Sequence, residues 1–262
     1  MNQIQYSTVR SRDNPLFKEL RKLAQDASRY RKSARFWVEG DHLCHAALAS
    51  GWRPAIAVLA ESAWPKAQAQ ALAQGAVKTV LLTDSLFMSI SGLESSPGVG
   101  CVLDLPQTGT IQTGLASVIL DRVQDPGNVG SILRSAAAFG FRQVLALKGS
   151  AALWSAKVLR AGMGAHFRLH LVEGAEVSDL DALGLPLLVT SSHQGELIQR
   201  LPLPWPCAWV LGHEGQGVQQ DLLDRAALQV RIAQPGGEES LNVAAAAAIV
   251  LHASALSQVG AR

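Results

Sequence analysis

Three segments of this chain combine glycines, carboxylates and carboxamides in the way a ligand pocket requires. The first runs Asp121-Arg122-Val123-Gln124-Asp125-Pro126-Gly127-Asn128-Val129-Gly130-Ser131 into Ile132-Leu133-Arg134. Asp-Pro-Gly is a turn signal and Asn128 a good helix N-cap, so a helix is expected to start there. At 100° per residue Val129, Ile132, Leu133 and Ala136 form an apolar stripe, with Asn128, Ser131, Arg134 and Ser135 opposite. An arginine so placed, near a glycine-rich helix start, suits an anion; alone, it equally suits solvent. The second segment, Val210-Leu211-Gly212-His213-Glu214-Gly215-Gln216-Gly217-Val218, packs three glycines into six residues and brings bare backbone and one carboxylate to a ligand. It matches neither GxGxxG nor a P-loop. The third, Ile232-Ala233-Gln234-Pro235-Gly236-Gly237-Glu238-Glu239-Ser240-Leu241-Asn242-Val243, offers a Pro-Gly-Gly loop and Ser240 as the expected cap of a last helix. Each segment, taken singly, is also a competent turn.

The elements around these segments alternate. Strands are expected at Phe36–Glu39, Ala55–Leu59, Val77–Leu82 and 98–105, with helices at Asp41–Ala49, Lys66–Ala73 and Ser85–Ile90. After a polar linker at 106–110, strands are expected at Ser117–Leu120, Gln143–Leu147, Leu187–Thr190, Ala208–Leu211 and Gln229–Ile232. Helices fall near Asn128–Phe139, Ser155–Met163, Gln219–Ala226 and Ser240–Leu256. Strands alternating with helices imply α/β architecture with largely parallel sheets, here in two domains, 1–105 and 106–262. Ligands of such sheets bind beyond the carboxyl ends of the strands, where all three segments lie.

Composition sets the frame. Of 262 residues 48% are hydrophobic and 17% charged, enough apolar material for a real core and incompatible with a disordered chain. Three scattered cysteines make no disulfide framework and point to a reducing, cytoplasmic setting. No signal peptide is evident, and the most apolar run, 243–256, falls short of the roughly 20 residues a membrane helix needs. Asp41-His42-Leu43-Cys44-His45 places its side chains in different directions on a helix, with no second ligand pair at zinc spacing, so no metal is expected. Charge is uneven: residues 1–35 carry nine Lys or Arg against three acids, net +6, which leaves −4 for the remaining 227. Arg12, Lys18, Arg21, Lys22, Arg31 and Arg35 could meet a phosphate backbone, although Leu16, Leu20 and Leu23 recur at helical spacing and a solvated helix face fits as well.

In order and spacing the three segments resemble the motifs of the SpoU (TrmH-like) RNA 2′-O-ribose methyltransferases of the SPOUT superfamily. The residues carrying the resemblance are Asn128, Gly130, Arg134, Phe139 and Gly140, then Leu211, Gly212, Glu214 and Gly217, then Ile232 and 239–243. Residues 106–262 resemble the catalytic domain, with a parallel sheet and a C-terminal trefoil knot. Residues 35–48 and 95–99 resemble the family's L30e-like substrate-binding domain. Residues 11–20 are similar to the basic arm of rRNA-directed members.

The resemblance implies a homodimer that binds S-adenosylmethionine through Leu211, Gly212, Gly217, Ile232 and Leu241. It implies methyl transfer to a ribose 2′-hydroxyl, of 23S rRNA rather than tRNA given the arm and the separate N-terminal domain. Asn128, Arg134, Glu214, Ser240 and Asn242 would form the catalytic site. Arg134 matches the residue that the family's proposed mechanism makes the general base, but a guanidinium gives up its proton only in a severe environment, so clamping the substrate phosphate and stabilising the forming alkoxide is the more economical role. Two positions depart from the pattern. Ala233-Gln234 replaces Pro-Met, and Gly162 replaces a serine in Arg160-Ala161-Gly162-Met163-Gly164-Ala165. A non-catalytic RNA-binding protein on the same fold and an antibiotic-resistance methylase are the rival readings.

Overall fold

The computed structural model describes residues 4–107, 109–191, 194–236 and 240–259. The chain divides into two compact units, 1–107 with 154–167, and 108–153 with 168–262. Thr108 of the linker and 237–239, which include Glu239 of the third motif, lie outside the described residues.

The first unit begins with β1 (Tyr6–Val9), a strand within the basic first 35 residues that the sequence reading did not expect. Helix α1 (Pro15–Gln25) follows, with Pro15 at its first turn and the Asn14 side chain accepting from the amides of Leu16 and Phe17. It buries Phe17, Leu20 and Leu23. Burial of such side chains is worth about 1.5–3 kcal/mol each. Its basic residues are thereby turned outward. Helix α2 (Arg29–Ser33) is tied back to α1 by Arg29, whose guanidinium grips Glu19 at 2.6 and 3.0 Å. Then come β2 (Arg35–Glu39), α3 (Asp41–Ala49), β3 (Ile56–Ala60), α4 (Ala67–Gly75), β4 (Lys78–Leu82), α5 (Asp84–Ile90) and β5 (Val99–Asp104).

The sheet order is β1-β4-β3-β5-β2, with β5 antiparallel to both its neighbours. This corrects the expectation of a largely parallel sheet. Helix α5 has seven residues, about 10 Å at 1.5 Å each, and the loop after it leaves the chain at the end where β3 finishes. There Ala60 N bonds Gly98 O at 2.8 Å, so β5 can only run back. Glu39, buried at the end of β2, organises that loop by accepting from Ser91 Oγ, Gly92 N and Ser96 Oγ.

The second unit contains β6 (Ser117–Leu120), α6 (Pro126–Ala138) and β7 (Gln143–Leu147). Helix α7 (Ala156–Gly162) then returns to the first unit, where Trp154 packs against Phe36 at 4.7 Å between ring centroids. The chain continues through β8 (His170–Ala175), β9 (Leu187–Thr190), β10 (Glu196–Leu197), β11 (Ala208–Leu211), α8 (Gln220–Asp224), β12 (Leu228–Arg231) and α9 (Val243–Val259).

These seven strands form one wholly parallel sheet in the order β10-β12-β9-β11-β6-β7-β8. Central strands β6 and β11 are buried at every position, as a sheet covered on both faces requires. Helix α9 packs on α6 and on β11, where the Trp209 indole N–H donates to Ser254 Oγ at 2.8 Å in a fully buried contact. Strands β8 and β10 are absent from the sequence expectation. Both are edge strands whose mixed polar and apolar residues give little hydrophobic signal.

Candidate functional site

The first segment folds around its cap. Asp125, not Asn128, is the N-cap of α6: its Oδ1 accepts from Asn128 N at 2.8 Å, and Pro126 fills the first helical position. Asn128 therefore sits one turn in, with its side chain released for another partner. The apolar stripe is as expected, Val129, Ile132, Leu133 and Ala136 all being fully buried. Arg134 lies on the exposed side of α6 with no hydrogen-bond partner among the described residues.

The second segment is a tight hairpin. His213 and Gly217 exchange backbone hydrogen bonds at 3.0 and 2.9 Å, and His213 Nδ1 accepts from the amides of Gly215 and Gln216. A Cβ at Gly212 would run into the Gly217 and Val218 backbone, so the close approach demands glycine. Glu214 projects from this hairpin onto the first segment. Its Oε1 accepts from Asn128 Nδ2 and Asp125 N, each at 3.1 Å, and Oε2 from Gln124 N at 3.2 Å. Partial burial pushes its carboxyl upward, but the hydrogen bonds from Asn128, Asp125 and Gln124 outweigh this and hold it below the usual carboxylate range.

The third segment joins the same network. Asn242, not Ser240, caps α9, its Oδ1 accepting from Ala244 N at 2.9 Å and Ala245 N at 3.2 Å. The helix begins at Val243, so the capping oxygen has to come from the residue just before it. The other end of the same carboxamide, Nδ2, donates to Asn128 Oδ1 at 3.0 Å. A continuous chain of hydrogen bonds, Asn242 to Asn128 to Glu214, thus links all three segments.

Beside this chain opens a cleft of about 780 Å³ beyond the ends of β9, β11 and β12. Gly212, Glu214, Gly217, Ile232, Ser240, Leu241 and Asn242 all line it. Leu211 does not: it is buried at the end of β11, its carbonyl taken by Asp121 N at 2.8 Å. Asn128 and Arg134 are not in the lining either, though Asn128 reaches its rim through Glu214 and Asn242. Sequence reasoning missed Thr190, Ser191 and Gln194, which close the cleft after β9. The strand-end rule, applied to Leu187–Thr190 as well, would have found them. It also gave no role to Asp121, a fully buried carboxylate that accepts from Arg122, Gln219 N and Gln219 Nε2.

The proposed RNA contacts lie in the first unit. Arg12, Arg21, Lys22 and Arg31 are exposed, the last with its guanidinium 5.3 Å from the Tyr30 ring centroid. Lys18 and Arg35 are exposed too, but pair with Asp13 at 3.1 Å and Asp104 at 2.8 Å. Arg160 of the 160–165 stretch lies against Gly92, its guanidinium 2.6 Å from where a Cβ there would stand. No group of three or more His, Cys, Asp or Glu among the described residues could hold a metal ion, and no helix among them is long and apolar enough to cross a membrane.

Known proteins resemble this chain in sequence and fold. Residues 116–252 match the SpoU rRNA methylase family, and 14–100 match the MRM3-like substrate-binding domain. The chain is 31% identical over 248 residues to the 23S rRNA (guanosine(2553)-2′-O)-methyltransferase RlmP of Bacillus subtilis, covering 93% of this chain and 97% of that protein. An RNA 2′-O ribose methyltransferase of known structure superposes with a TM-score of 0.81 at 27% identity, covering 97% of this chain and all of that one. The S-adenosylmethionine-bound rRNA methyltransferase of Sinorhizobium meliloti gives 0.83 at 25% identity, covering 95% and 97%. With both domains matched in order and the three motifs closing on one cleft, this chain belongs to the SpoU rRNA methylase family.

Proposed function

We propose that the protein transfers a methyl group from S-adenosylmethionine to a ribose 2′-hydroxyl of 23S rRNA. The observation that carries this reading is the Asn242–Asn128–Glu214 chain at the edge of the glycine-lined cleft. The cleft suits the cofactor: Ile232, Leu241 and Val230 offer apolar walls, the Gly212–Gly217 hairpin offers backbone, and Gln234, also in the lining, has a buried Oε1 with no partner among the described residues. When bound, the cofactor supplies an electrophilic sulfonium methyl.

The residues then have distinct tasks. Gly212, Gly217, Ile232 and Leu241 hold the cofactor, while Asn128, Glu214 and Asn242 keep the three loops in register. Glu214, with both oxygens occupied and its carboxyl held ionised, is a brace and a poor proton acceptor at neutral pH. Arg134, exposed and unpaired among the described residues, serves as a cation for the substrate phosphate and the charge developing on the 2′-oxygen. It acts electrostatically, through its guanidinium N–H donors. Alignment of attacking oxygen, methyl and sulfur supplies the larger part of the rate, on the order of 7–11 kcal/mol in favourable cases.

The reading extends to a trefoil-knotted homodimer in the cytoplasm. The return of α9 onto α6 and β11, with Asn242 reaching Asn128, supports the knot. Exposed Ile249 and Leu256 on α9 support a second copy, and three free cysteines support a reducing compartment. Calorimetric titration with S-adenosylmethionine and S-adenosylhomocysteine, beside methyl transfer to 23S rRNA and to tRNA, tests the whole. Arg134→Ala is expected to keep cofactor affinity within about twofold and lose about 100-fold or more in turnover. Failure of the wild-type chain to bind either ligand sinks the reading in favour of a non-catalytic RNA binder.

A further inference from the structure

Arg122 has a left-handed backbone, φ 57°, at the end of β6. Such a conformation in a residue with a Cβ persists only where its surroundings over-determine it. Here they do. The guanidinium donates from Nε to Asp121 Oδ1 at 2.8 Å and from Nη2 to Asp121 Oδ2 at 3.2 Å, a fork closed on a fully buried carboxylate. The side-chain stem lies on Gly149, where an added Cβ would stand 3.2 Å from Arg122 Cγ. Asp121 meanwhile accepts from Gln219 N at 2.8 Å and Gln219 Nε2 at 3.1 Å, which fastens the chain just beyond the Gly212–Gly217 hairpin.

With its fork thus immobilised, Arg122 reaches into the hairpin itself. Nη1 donates to Gln216 Oε1 at 3.0 Å and Nη2 approaches the Gly217 carbonyl at 3.5 Å. The hairpin is solvent-exposed at 214–217 and holds two glycines there, so its own conformational entropy is high. A loop that has to be ordered on binding loses affinity by the cost of that ordering. Arg122 is not in the cleft lining and acts only through the loop.

We propose that Arg122 is a positioning residue that, anchored on buried Asp121, latches the Gly212–Gly217 hairpin in the shape that receives the cofactor. This rests on the reading of the cleft as the S-adenosylmethionine site. The strained backbone at Arg122 is what aims the guanidinium at both Asp121 and Gln216.

Arg122→Gly tests it without adding backbone strain, because glycine accepts a left-handed backbone freely. In the full-length protein the thermal midpoint is expected to fall, because buried Asp121 keeps only its Gln219 donors, and the calorimetric Kd for S-adenosylhomocysteine, measured well below that midpoint, is expected to weaken about tenfold, the scale of one or two charge-assisted hydrogen bonds. KM for S-adenosylmethionine is expected to rise in step, with kcat changing less than about twofold. Arg122→Lys, which keeps a charge beside Asp121 but has no fork, is expected to recover only part of the affinity. Gln216→Ala leaves the Arg122–Asp121 pair intact and is expected to weaken binding a few-fold, and less so in the Arg122→Gly background. Unchanged cofactor affinity in both Arg122→Gly and Gln216→Ala overturns the latch while leaving the cofactor site standing. Absence of binding in the wild type removes the site and the latch together.

Discussion

Asn242 donates from Nδ2 to Asn128 Oδ1 at 3.0 Å across 114 positions of sequence, while its own Oδ1 caps the helix that follows. One carboxamide therefore does two jobs, and the two can be separated. Asn242→Ala deletes both, and loss of the cap alone costs about 1 kcal/mol, a fall of roughly 2–4 °C in thermal midpoint at this chain length. Asn242→Asp keeps acceptors for the Ala244 and Ala245 amides but loses the donor to Asn128. It is expected to melt close to the wild type and yet lose about tenfold or more in methyl transfer. Full activity in Asn242→Asp would show the link between the segments to be dispensable.

Glu214 carries a pH signature. Its folded carboxyl lies below the usual carboxylate range, so the stabilisation it brings is present above the unfolded value, about 4.3, and is lost as pH falls through the folded one. Wild type and Glu214→Gln are expected to differ most in stability at neutral pH and to converge in acid. Denaturant titrations between pH 3 and pH 7 measure this. A gap independent of pH would mean that the carboxylate charge is not its source.

Gly212 tolerates no side chain, since a Cβ there meets backbone atoms of Gly217 and Val218 that cannot move without opening the hairpin. Gly212→Ala is expected to cost about 1–3 kcal/mol of stability, the scale of overpacking, and to weaken cofactor binding disproportionately. The comparison to make is with Gly114→Ala, where no atom lies within 4 Å of the added Cβ. Gly114 has φ 75° and Gly212 has no left-handed φ, so Gly114→Ala carries backbone strain without steric collision and Gly212→Ala carries collision without that strain. Equal cofactor affinities in the two variants would count against a packing role for Gly212.

On the first unit, Arg21 and Lys22 stand exposed on α1. Replacing both by alanine is expected to weaken binding of rRNA fragments at low salt and to flatten the dependence of log K on log salt by about 1 for each phosphate that is no longer neutralised. Arg35→Ala should flatten it less, because Asp104 already occupies that guanidinium. Identical salt slopes for Arg21/Lys22→Ala and the wild type would remove α1 from the RNA-contacting surface.

Local chemistry written in the sequence was enough for the alternation of strands and helices, the buried stripe of α6 and the glycine-rich turns, because periodicity, turn residues and capping residues act over a few positions. It also sufficed to single out Asn128, Glu214, Ser240 and Asn242, since their types and spacing are a motif. What it could not decide were matters of approach between distant segments. That β5 runs antiparallel depends on where a seven-residue helix leaves the chain. That Asp125 and Asn242 do the capping, which frees or shares the carboxamides of Asn128 and Asn242, depends on which acceptor the folded backbone presents to each helix start. That Arg122 clasps Asp121 and Gln216 depends on a left-handed backbone at a residue type that rarely adopts one. Short-range preferences set which residues could take part. Tertiary packing alone, by bringing β6, β11 and the start of α9 within hydrogen-bond reach, decided which of them meet.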